Sequence, residues 1–212
     1  MPTTIAAENL EKSFSGTPLF SSLSFSASRG LFAIAGRNGS GKTTLLKMLA
    51  GLMRPTSGSV RVESDAFPQS GPSARLAVGW AGPDLQFYGA LTGVENLDFF
   101  RKAAGRPAEA GELVRRLTEV GLAEAAAHRP VEEYSTGMKQ RLRLAFARLF
   151  DPAVLLLDEP TAGLDADGRD TVSRLVAAAR QRGPVLLASN DERDFQNPEQ
   201  RLELGGQRRP TS

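Results

Sequence analysis

One stretch of the sequence has the residue types and spacing to hold a chain of phosphate groups. From residue 36 to residue 44 it follows G-x-x-x-x-G-K-T-T, after an apolar run at 31–35 and before a segment with helical apolar spacing. Glycines permit the backbone bends that turn several N–H groups inwards, and the start of a helix adds its positive dipole end. The lysine can then contact the β- and γ-phosphates, and the first threonine hydroxyl can ligate Mg²⁺. The expected contacts are Gly36, Asn38, Gly39, Ser40, Gly41, Lys42, Thr43 and Thr44.

Two acidic residues follow an apolar run further along the chain. Residues 153–157 are Ala-Val-Leu-Leu-Leu, a composition typical of a parallel strand that is covered on both faces. Asp158 and Glu159 therefore lie at the carboxyl edge of the sheet, where ligands of open α/β folds bind. We expect Asp158 to hold Mg²⁺ through water. Glu159 is expected to orient and deprotonate the water that attacks the γ-phosphate.

A third feature is the stretch Tyr-Ser-Thr-Gly-Met-Lys-Gln-Arg at residues 134–141. Ser135 is a suitable N-cap, and Gly137 leaves the first turn without a side chain, so this helix start can receive an anion. By itself the stretch fits an ordinary helix cap better than an anion site.

Strands and helices must position these residues, and their signals change along the chain. Residues 4–27 alternate in the manner of short strands, and residues 84–149 show helical spacing. An α/β pattern resumes at residue 153, and residues 201–206 predict a short strand and a turn. The predicted fold is a P-loop NTPase core with a mostly parallel sheet, an N-terminal antiparallel β subdomain and an inserted helical subdomain. We expect one domain over 1–212, with the core at about 1–83 and 150–212 and the helical subdomain at about 84–149.

Composition excludes several classes of protein. The 212 residues carry 26 Lys and Arg against 24 Asp and Glu, so a net charge of +2 gives no reason to expect nucleic acid or an anionic membrane as the main partner. Without cysteine, disulfides and thiolate chemistry are excluded. No apolar run reaches 18 residues and the N-terminus lacks a signal pattern, so we expect a chain that is neither secreted nor membrane-spanning.

The three features occur together in an order that resembles a known family. With Leu-Thr-Gly-Val-Glu-Asn-Leu at 91–97 and Asp-Glu-Pro-Thr-Ala-Gly-Leu-Asp at 158–165, they resemble the motifs of ABC-type ATPases over nearly the whole chain. The stretch at 134–138 is similar to that family's signature, Leu-Ser-Gly-Gly-Gln. The chain looks like the nucleotide-binding subunit of an ABC transporter. Its small size and residues 82–88 are similar to the short ATPase subunits of haem exporters in cytochrome c maturation.

The resemblance implies ATP and Mg²⁺ as cofactors and a pair of ATPase subunits that meet head to tail. Ser135 and Gly137 of one subunit would then touch the γ-phosphate that Lys42 of the other holds, and Asp165 would line the seam. The pair is either a homodimer or a heterodimer, and it binds an integral membrane permease in a groove beside residues 82–88. The resemblance also implies a cytoplasmic protein that is peripheral on the inner face of the cell membrane through this permease, with no nucleic acid partner.

Phe14 is an aromatic residue with two open interpretations. It lies about twenty residues before the P-loop, and a core position is as consistent with the sequence as a ring that stacks on the adenine base. The resemblance favours stacking, because an aromatic residue is usual at that place in the family.

Two positions depart from the family pattern. Pro83 stands where a glutamine usually contacts Mg²⁺ and water, and Asp84 or Gln86 would have to replace it from a shifted loop. Asn190 stands where a histidine usually faces the γ-phosphate, while the single histidine, His128, is expected at the surface. Because asparagine donates a hydrogen bond but carries no charge, we expect good ATP binding and slow hydrolysis.

Two other functions remain open from the sequence. One is a nucleotide-binding regulatory subunit with weak or no hydrolysis, which Pro83 and Asn190 favour and the acidic pair opposes. The other is a soluble ABC-type ATPase that acts on DNA or ribosomes, which the single cassette and the absence of a basic stripe oppose.

Overall fold

Two sheets form the framework of the protein, which we describe from a computed structural model over residues 3–68 and 70–205. The first sheet is antiparallel, has the order β2-β1-β4, and is built from β1 (Thr4–Phe14), β2 (Thr17–Ala27) and β4 (Ser57–Glu63). The first two strands have 11 residues each, so the short strands expected over residues 4–27 were wrong in length. Register shifts along β1 let the pairing continue where the apolar alternation is interrupted.

The second sheet has five strands, and every neighbouring pair in it is parallel. Its order is β5-β6-β7-β3-β8, and it consists of β3 (Gly30–Gly36), β5 (Val78–Ala81), β6 (Val154–Asp158), β7 (Pro184–Ala188) and β8 (Gln200–Leu204). Every residue of β6 and β7 is buried, as the continuous apolar runs predicted. The parallel sheet and its antiparallel companion confirm the predicted fold class.

Six α-helices accompany the sheets in the part of the chain that the structure describes. They are α1 (Lys42–Leu49), α2 (Gly93–Ala103), α3 (Ala110–Glu119), α4 (Glu124–Ala127), α5 (Thr136–Ala147) and α6 (Ala166–Ala179). Helix α2 starts with a capping box, in which Glu95 N donates to Thr92 Oγ1 at 3.1 Å and Thr92 N donates to Glu95 Oε2 at 2.8 Å. Four consecutive helices, α2 to α5, lie between β5 and β6 in the chain, where the sequence predicted a helical subdomain.

Each face of the parallel sheet packs against a different partner. Leu155 and Leu157 belong to the core that also contains side chains of α2, α3, α5 and α6. Leu156, one position out of step, belongs to the core shared with α1 and the antiparallel sheet. Because successive side chains of a strand point to opposite faces, one apolar run fills both cores and fixes the carboxyl ends of the strands between them.

Three further predictions concern a strand near residue 201, segments that could cross a membrane, and the exposure of His128. β8 confirms the strand expected near residue 201, whereas Gly206 of the expected turn lies outside the described residues. Among the helices of residues 3–68 and 70–205, none combines the length and apolar character that a bilayer crossing requires. His128 is exposed, as expected.

Candidate nucleotide site

The loop between β3 and α1 has the bends that its glycines predicted. Gly36, Gly39 and Gly41 have φ angles of +148°, +80° and +100°, all in the region that side chains disfavour. A Cβ atom added to Gly36 would stand 2.6 Å from the carbonyl oxygen of Leu204, so that position also lacks the space for a side chain. The loop thus bends at three glycines and packs closely against β8 at Gly36, immediately before the first N–H groups of α1.

Lys42 lies inside this loop with only 6 % of its surface exposed. Its Nζ atom donates to the carbonyl oxygen of Gly36 at 2.7 Å and to Asn190 Oδ1 at 2.9 Å. Both acceptors are neutral, while the ammonium charge also interacts at longer range with the carboxylates of Asp158 and Glu159. An anion that enters the loop can replace these neutral acceptors and form a charge-assisted hydrogen bond.

Thr43 and Asp158 form the candidate metal pair. Thr43 Oγ1 donates to Asp158 Oδ2 at 2.6 Å, although the two residues are far apart in the sequence. Asp158 is 2 % exposed, and its Oδ1 atom is buried without a hydrogen-bond partner in the described part of the chain. Burial raises the pKa of Asp158, against the lowering effects of the Thr43 hydroxyl and Lys42. A hydroxyl and a buried carboxylate with a free oxygen fit a hard cation such as Mg²⁺.

Glu159 follows directly, with a φ angle of +49° that is uncommon for a residue with a side chain. Its Oε1 atom accepts a hydrogen bond from Asn190 Nδ2 at 2.6 Å, and Ser189 Oγ lies 3.2 Å from Oε2. Burial raises the pKa of Glu159 above its usual value. A carboxylate whose proton affinity is raised in this way is suited to accept a proton from water.

Asn190 connects the two charged groups of the site. One atom of its amide accepts from Lys42 and the other donates to Glu159, at the distances given above. It comes after β7, next to β6 in the sheet, which explains how a residue so distant in sequence joins this group. Asn190 lines the same cleft as Lys42 and Glu159, and its role of facing the γ-phosphate stays a prediction.

These side chains share one open cleft of about 340 Å³. It is lined by Phe14, Leu19, Asn38, Gly39, Gly41, Lys42, Thr43, Thr44, Pro83, Asp158, Glu159 and Asn190. Phe14 is 49 % exposed, which corrects the alternative of a core position, and Lys12 Nζ lies 4.9 Å from the centre of its ring. Ser40 does not line the cleft, since its hydroxyl is buried in the structure without a hydrogen-bond partner among the described residues.

The residues expected to contact the nucleotide of a second subunit, which form the second predicted half-site, lie outside this cleft. Ser135 is the N-cap of α5 and accepts from Met138 N at 3.2 Å, as predicted. Asp165 is the N-cap of α6 and pairs with Arg141 of α5 at 2.9 Å. A Cβ atom added to Gly137 would be 3.2 Å from the carbonyl oxygen of Gly163, so the two helix starts lie close together. Ser135, Gly137 and Asp165 are not among the residues that line the cleft.

Neither residue expected to replace the glutamine missing at Pro83 reaches the cleft. Asp84 forms an ion pair with Lys47 of α1 at 2.6 Å. Asp84 and Gln86 both line a separate groove of about 410 Å³, bounded by the end of α1, β5 and the end of α5. Pro83 lines the nucleotide cleft, and the side chain of a proline has no hydrogen-bond donor.

Sequence reasoning missed several polar residues behind Glu159. Ser189 and Thr161 are almost fully buried, and both hydrogen-bond to Asp194. Ser189 carried a usable signal, because it is a polar residue at the carboxyl end of a buried strand, just as Asp158 is. Asp194 carried none, since it lies in a charged stretch that resembles an exposed turn.

The fold and this cleft define a P-loop nucleotide-binding domain. The family described as ABC transporter matches residues 20–162 of the chain. The chain therefore belongs to the ABC transporter family, and it contains that family's ATP-binding domain.

Individual relatives agree with this family. The ABC transporter ATP-binding protein YhcH of Bacillus subtilis (strain 168), described as uncharacterized, is 36 % identical over 90 % of this chain and 62 % of its own length. The Nod factor export ATP-binding protein I of Burkholderia lata is 38 % identical over 84 % of this chain and 60 % of its own length. The chain thus spans about three fifths of the length of these relatives.

A solved structure agrees in fold. The dimeric ATP-binding cassette MJ0796, in a post-hydrolysis state bound to ADP and Pi, matches with a TM-score of 0.80 at 20 % identity, covering 94 % of each chain. At this level of identity the likeness concerns the fold alone.

Proposed function

We propose that this chain binds Mg-ATP, hydrolyses it, and couples the hydrolysis to export by a separate membrane subunit. The observation that carries the proposal is the convergence of Lys42, Thr43, Asp158 and Glu159 on one cleft. These four side chains supply a cation for phosphate, two oxygen ligands for a metal ion, and a base, which are the parts that phosphoryl transfer needs.

The residues of the cleft divide the work of hydrolysis. The loop N–H groups and Lys42 would hold the β- and γ-phosphates, and Lys42 would exchange its bond to Asn190 for a phosphate oxygen. Thr43 and Asp158 would hold Mg²⁺, which when bound offsets phosphate charge. Glu159 would orient a water molecule whose oxygen attacks the γ-phosphorus and would accept its proton. The bond between the γ-phosphorus and the bridging oxygen breaks, and ADP leaves with the electron pair.

The exposed helix starts support the proposal that two ATPase subunits share each nucleotide. Ser135 is exposed and its hydroxyl caps a helix, while Gly137 adds no side chain to that surface. These features suit a γ-phosphate brought by a second subunit in a head-to-tail pair, with Asp165 at the seam. Whether that second subunit is identical or different is left open by this surface.

The apolar groove supports a membrane permease as the partner of the chain. Its lining includes Trp80, Leu85, Phe146 and Phe150, and Leu52 at its edge is 61 % exposed. An exposed apolar groove of this size is suited to an apolar helix from another chain. We place the protein on the cytoplasmic face of the cell membrane, held there through this permease.

The relatives favour export as the direction of transport, but they do not fix which molecule is exported. The Burkholderia relative is described as a Nod factor export protein. Haem, which the sequence suggested through residues 82–88, remains a prediction about cargo. Because the cargo contacts belong to the permease, the proposal does not depend on this choice.

A regulatory subunit with weak or no hydrolysis is the second candidate. It is favoured by the neutral Asn190, which bonds to both Lys42 and Glu159. In this alternative ATP binding alone would drive the association of subunits.

Two substitutions test the proposal. Lys42→Ala should abolish retention of Mg-ATP in equilibrium dialysis, and Glu159→Gln should retain binding but lose turnover by a factor of about 100 or more. Lys102→Ala is the matched control, because Lys102 is an exposed lysine of α2 that pairs only with Asp98 among the described residues. If wild-type protein binds Mg-ATP without measurable turnover, the regulatory candidate replaces the motor, and if Lys42→Ala still binds, both fail.

A further inference from the structure

A buried carboxylate, Asp194, lies behind the cleft and has no part in the mechanism above. It is on the short 3₁₀ turn Glu192–Asp194 that follows β7, and its side chain is only 5 % exposed. Thr161 Oγ1 lies 3.0 Å from one of its oxygens and 2.8 Å from the other, and Ser189 Oγ lies 2.6 Å from Oδ2. A buried carboxylate with two hydroxyl donors is costly to remove, since the donors are then left unpaired.

The two donors belong to the two segments that carry the hydrolytic side chains. Thr161 follows Glu159 by two positions in the turn after β6, and Ser189 precedes Asn190 in the turn after β7. Asp194 therefore joins both segments from the side away from the nucleotide, and it is not among the residues that line the cleft.

Glu159 needs such support because its backbone is strained. A positive φ angle at a residue with a side chain is strained and persists only when neighbouring contacts fix it. Its own backbone contacts include the bond from Glu159 N to the carbonyl oxygen of Ala188 at 2.8 Å. The bonds from Thr161 and Ser189 to Asp194 fix the two residues that flank this contact in space.

The Ser189 hydroxyl lies between the carboxylates of Asp194 and Glu159. Its oxygen is 2.6 Å from Asp194 and 3.2 Å from Glu159 Oε2, and it accepts from Asp191 N at 3.0 Å. A hydroxyl has one proton, so the shorter contact takes it and Asp194 sets how the hydroxyl is turned. Arg169 Nη1, 3.9 Å from Asp194 and 3.3 Å from Asp191, offsets the buried negative charge.

We propose that Asp194 is a positioning residue for hydrolysis, which acts through Thr161 and Ser189 to hold Glu159 in its strained, water-facing geometry. The inference rests on the proposed ATPase function and deepens it. Asp194 is not among the residues that line the cleft, so its loss should lower the rate of the chemical step and leave ATP binding to the P-loop unchanged.

The test compares turnover and nucleotide affinity in matched variants. Asp194→Ala should lower kcat about tenfold, while the Kd for Mg-ATP should change by less than about twofold. Glu192→Ala is the control, because Glu192 is on the same turn but bonds to Arg201 at the surface, and its kcat should stay within about twofold of wild type. In the Glu159→Gln background, Asp194→Ala should lower the residual single-turnover rate no further.

Several outcomes overturn the inference. These are an unchanged kcat in Asp194→Ala, a loss of affinity equal to the loss of kcat, or a full additional loss in the Glu159→Gln background. If Asp194→Ala does not fold, Thr161→Val and Ser189→Ala, which each remove one hydroxyl, decide the question, and an unchanged kcat in both overturns it.

Failure of the underlying function is distinguishable from failure of the inference. If wild type and Glu159→Gln turn over ATP equally, the ATPase mechanism falls and the inference with it. If turnover depends on Glu159 but not on Asp194, the inference alone is wrong.

Discussion

At the scale of single residues, Asn190 stands where the family usually has a histidine, and this difference leads to a prediction about turnover. Its amide accepts from the Lys42 ammonium and donates to the Glu159 carboxylate. Once ATP occupies the loop, the amide can donate a hydrogen bond to the γ-phosphate from an uncharged group, whereas a protonated imidazole donates from a cation. The added positive charge contributes up to about 1.4 kcal/mol, so Asn190→His should raise steady-state turnover by up to about tenfold.

A control variant separates the effect of charge at position 190 from the effect of the hydrogen bonds to Lys42 and Glu159. Asn190→Ala removes both hydrogen bonds and should lower turnover below wild type, with ATP affinity measured alongside by dialysis. Equal or lower turnover in Asn190→His would show that the bridge between Lys42 and Glu159 matters more than charge at this position.

Residue-level prediction from sequence succeeded where a motif determines its own geometry. The P-loop glycines have the bends expected of them, because the loop is local and each bend needs the absence of a side chain at that position. The links between Asn190, Ser189 and Asp194 were beyond reach, because hydrogen bonds between side chains on different turns depend on packing that no short stretch encodes.

At the scale of elements, one ion pair fastens α3 to the loop between α5 and β6. Arg116 donates to both oxygens of Asp151, at 3.0 and 2.7 Å, and its hydrogen bonds hold the pKa of Asp151 below its usual value. A depressed folded-state pKa contributes stability above the unfolded pKa, near 3.9, which is lost as pH falls through the lower folded pKa. Asp151→Asn should therefore cost up to about 1 kcal/mol of unfolding free energy at pH 7, since Asp151 is mostly exposed.

Urea unfolding at several pH values checks this prediction. The difference between wild type and Asp151→Asn should begin to shrink below about pH 4, where the aspartate is protonated in the unfolded state, and should vanish below the lowered pKa of the folded state. Glu133→Gln, which removes an exposed pair with Arg129 within one turn of chain, is the control and should change stability by less than about 0.5 kcal/mol. A difference that is constant from pH 7 to pH 3 would contradict the ionic origin.

Elements were predicted well where local signals are strong and less well where pairing is distant. The α2 capping box and the N-cap Ser135 are short-range patterns, and both occur as expected. The pairing of β1 with β4 and the order β5-β6-β7-β3-β8 join strands far apart in sequence. Periodicity reports which residues are apolar but not which strands are neighbours, so the strand order was not predicted from the sequence.

At the scale of the whole molecule, the P-loop and the helix start at Ser135, which are the two halves of the predicted site, lie in different places. The P-loop side forms a cleft with a buried lysine and a buried aspartate, whereas Ser135 is exposed at a helix start outside that cleft. In the proposed head-to-tail pair, a nucleotide in the cleft would present its γ-phosphate to the helix start of a second subunit. Such a pair would satisfy both half-sites at once, and two identical chains related by C2 symmetry would hold two equivalent nucleotides.

The last prediction tests this arrangement directly. Glu159→Gln retains the nucleotide contacts but removes the base, so Mg-ATP should accumulate at the interface and shift the protein from monomer to dimer in gel filtration. Adding Ser135→Arg should block the dimer and leave ATP binding intact, because the bulky side chain stands at the helix start and not in the cleft. Thr118→Arg is the matched control, since Thr118 is on α3 and its hydroxyl bonds to the carbonyl oxygen of Arg115 in the same helix. A monomer in Mg-ATP, or a dimer that Ser135→Arg leaves intact, would mean that the subunits do not share the nucleotide through this helix.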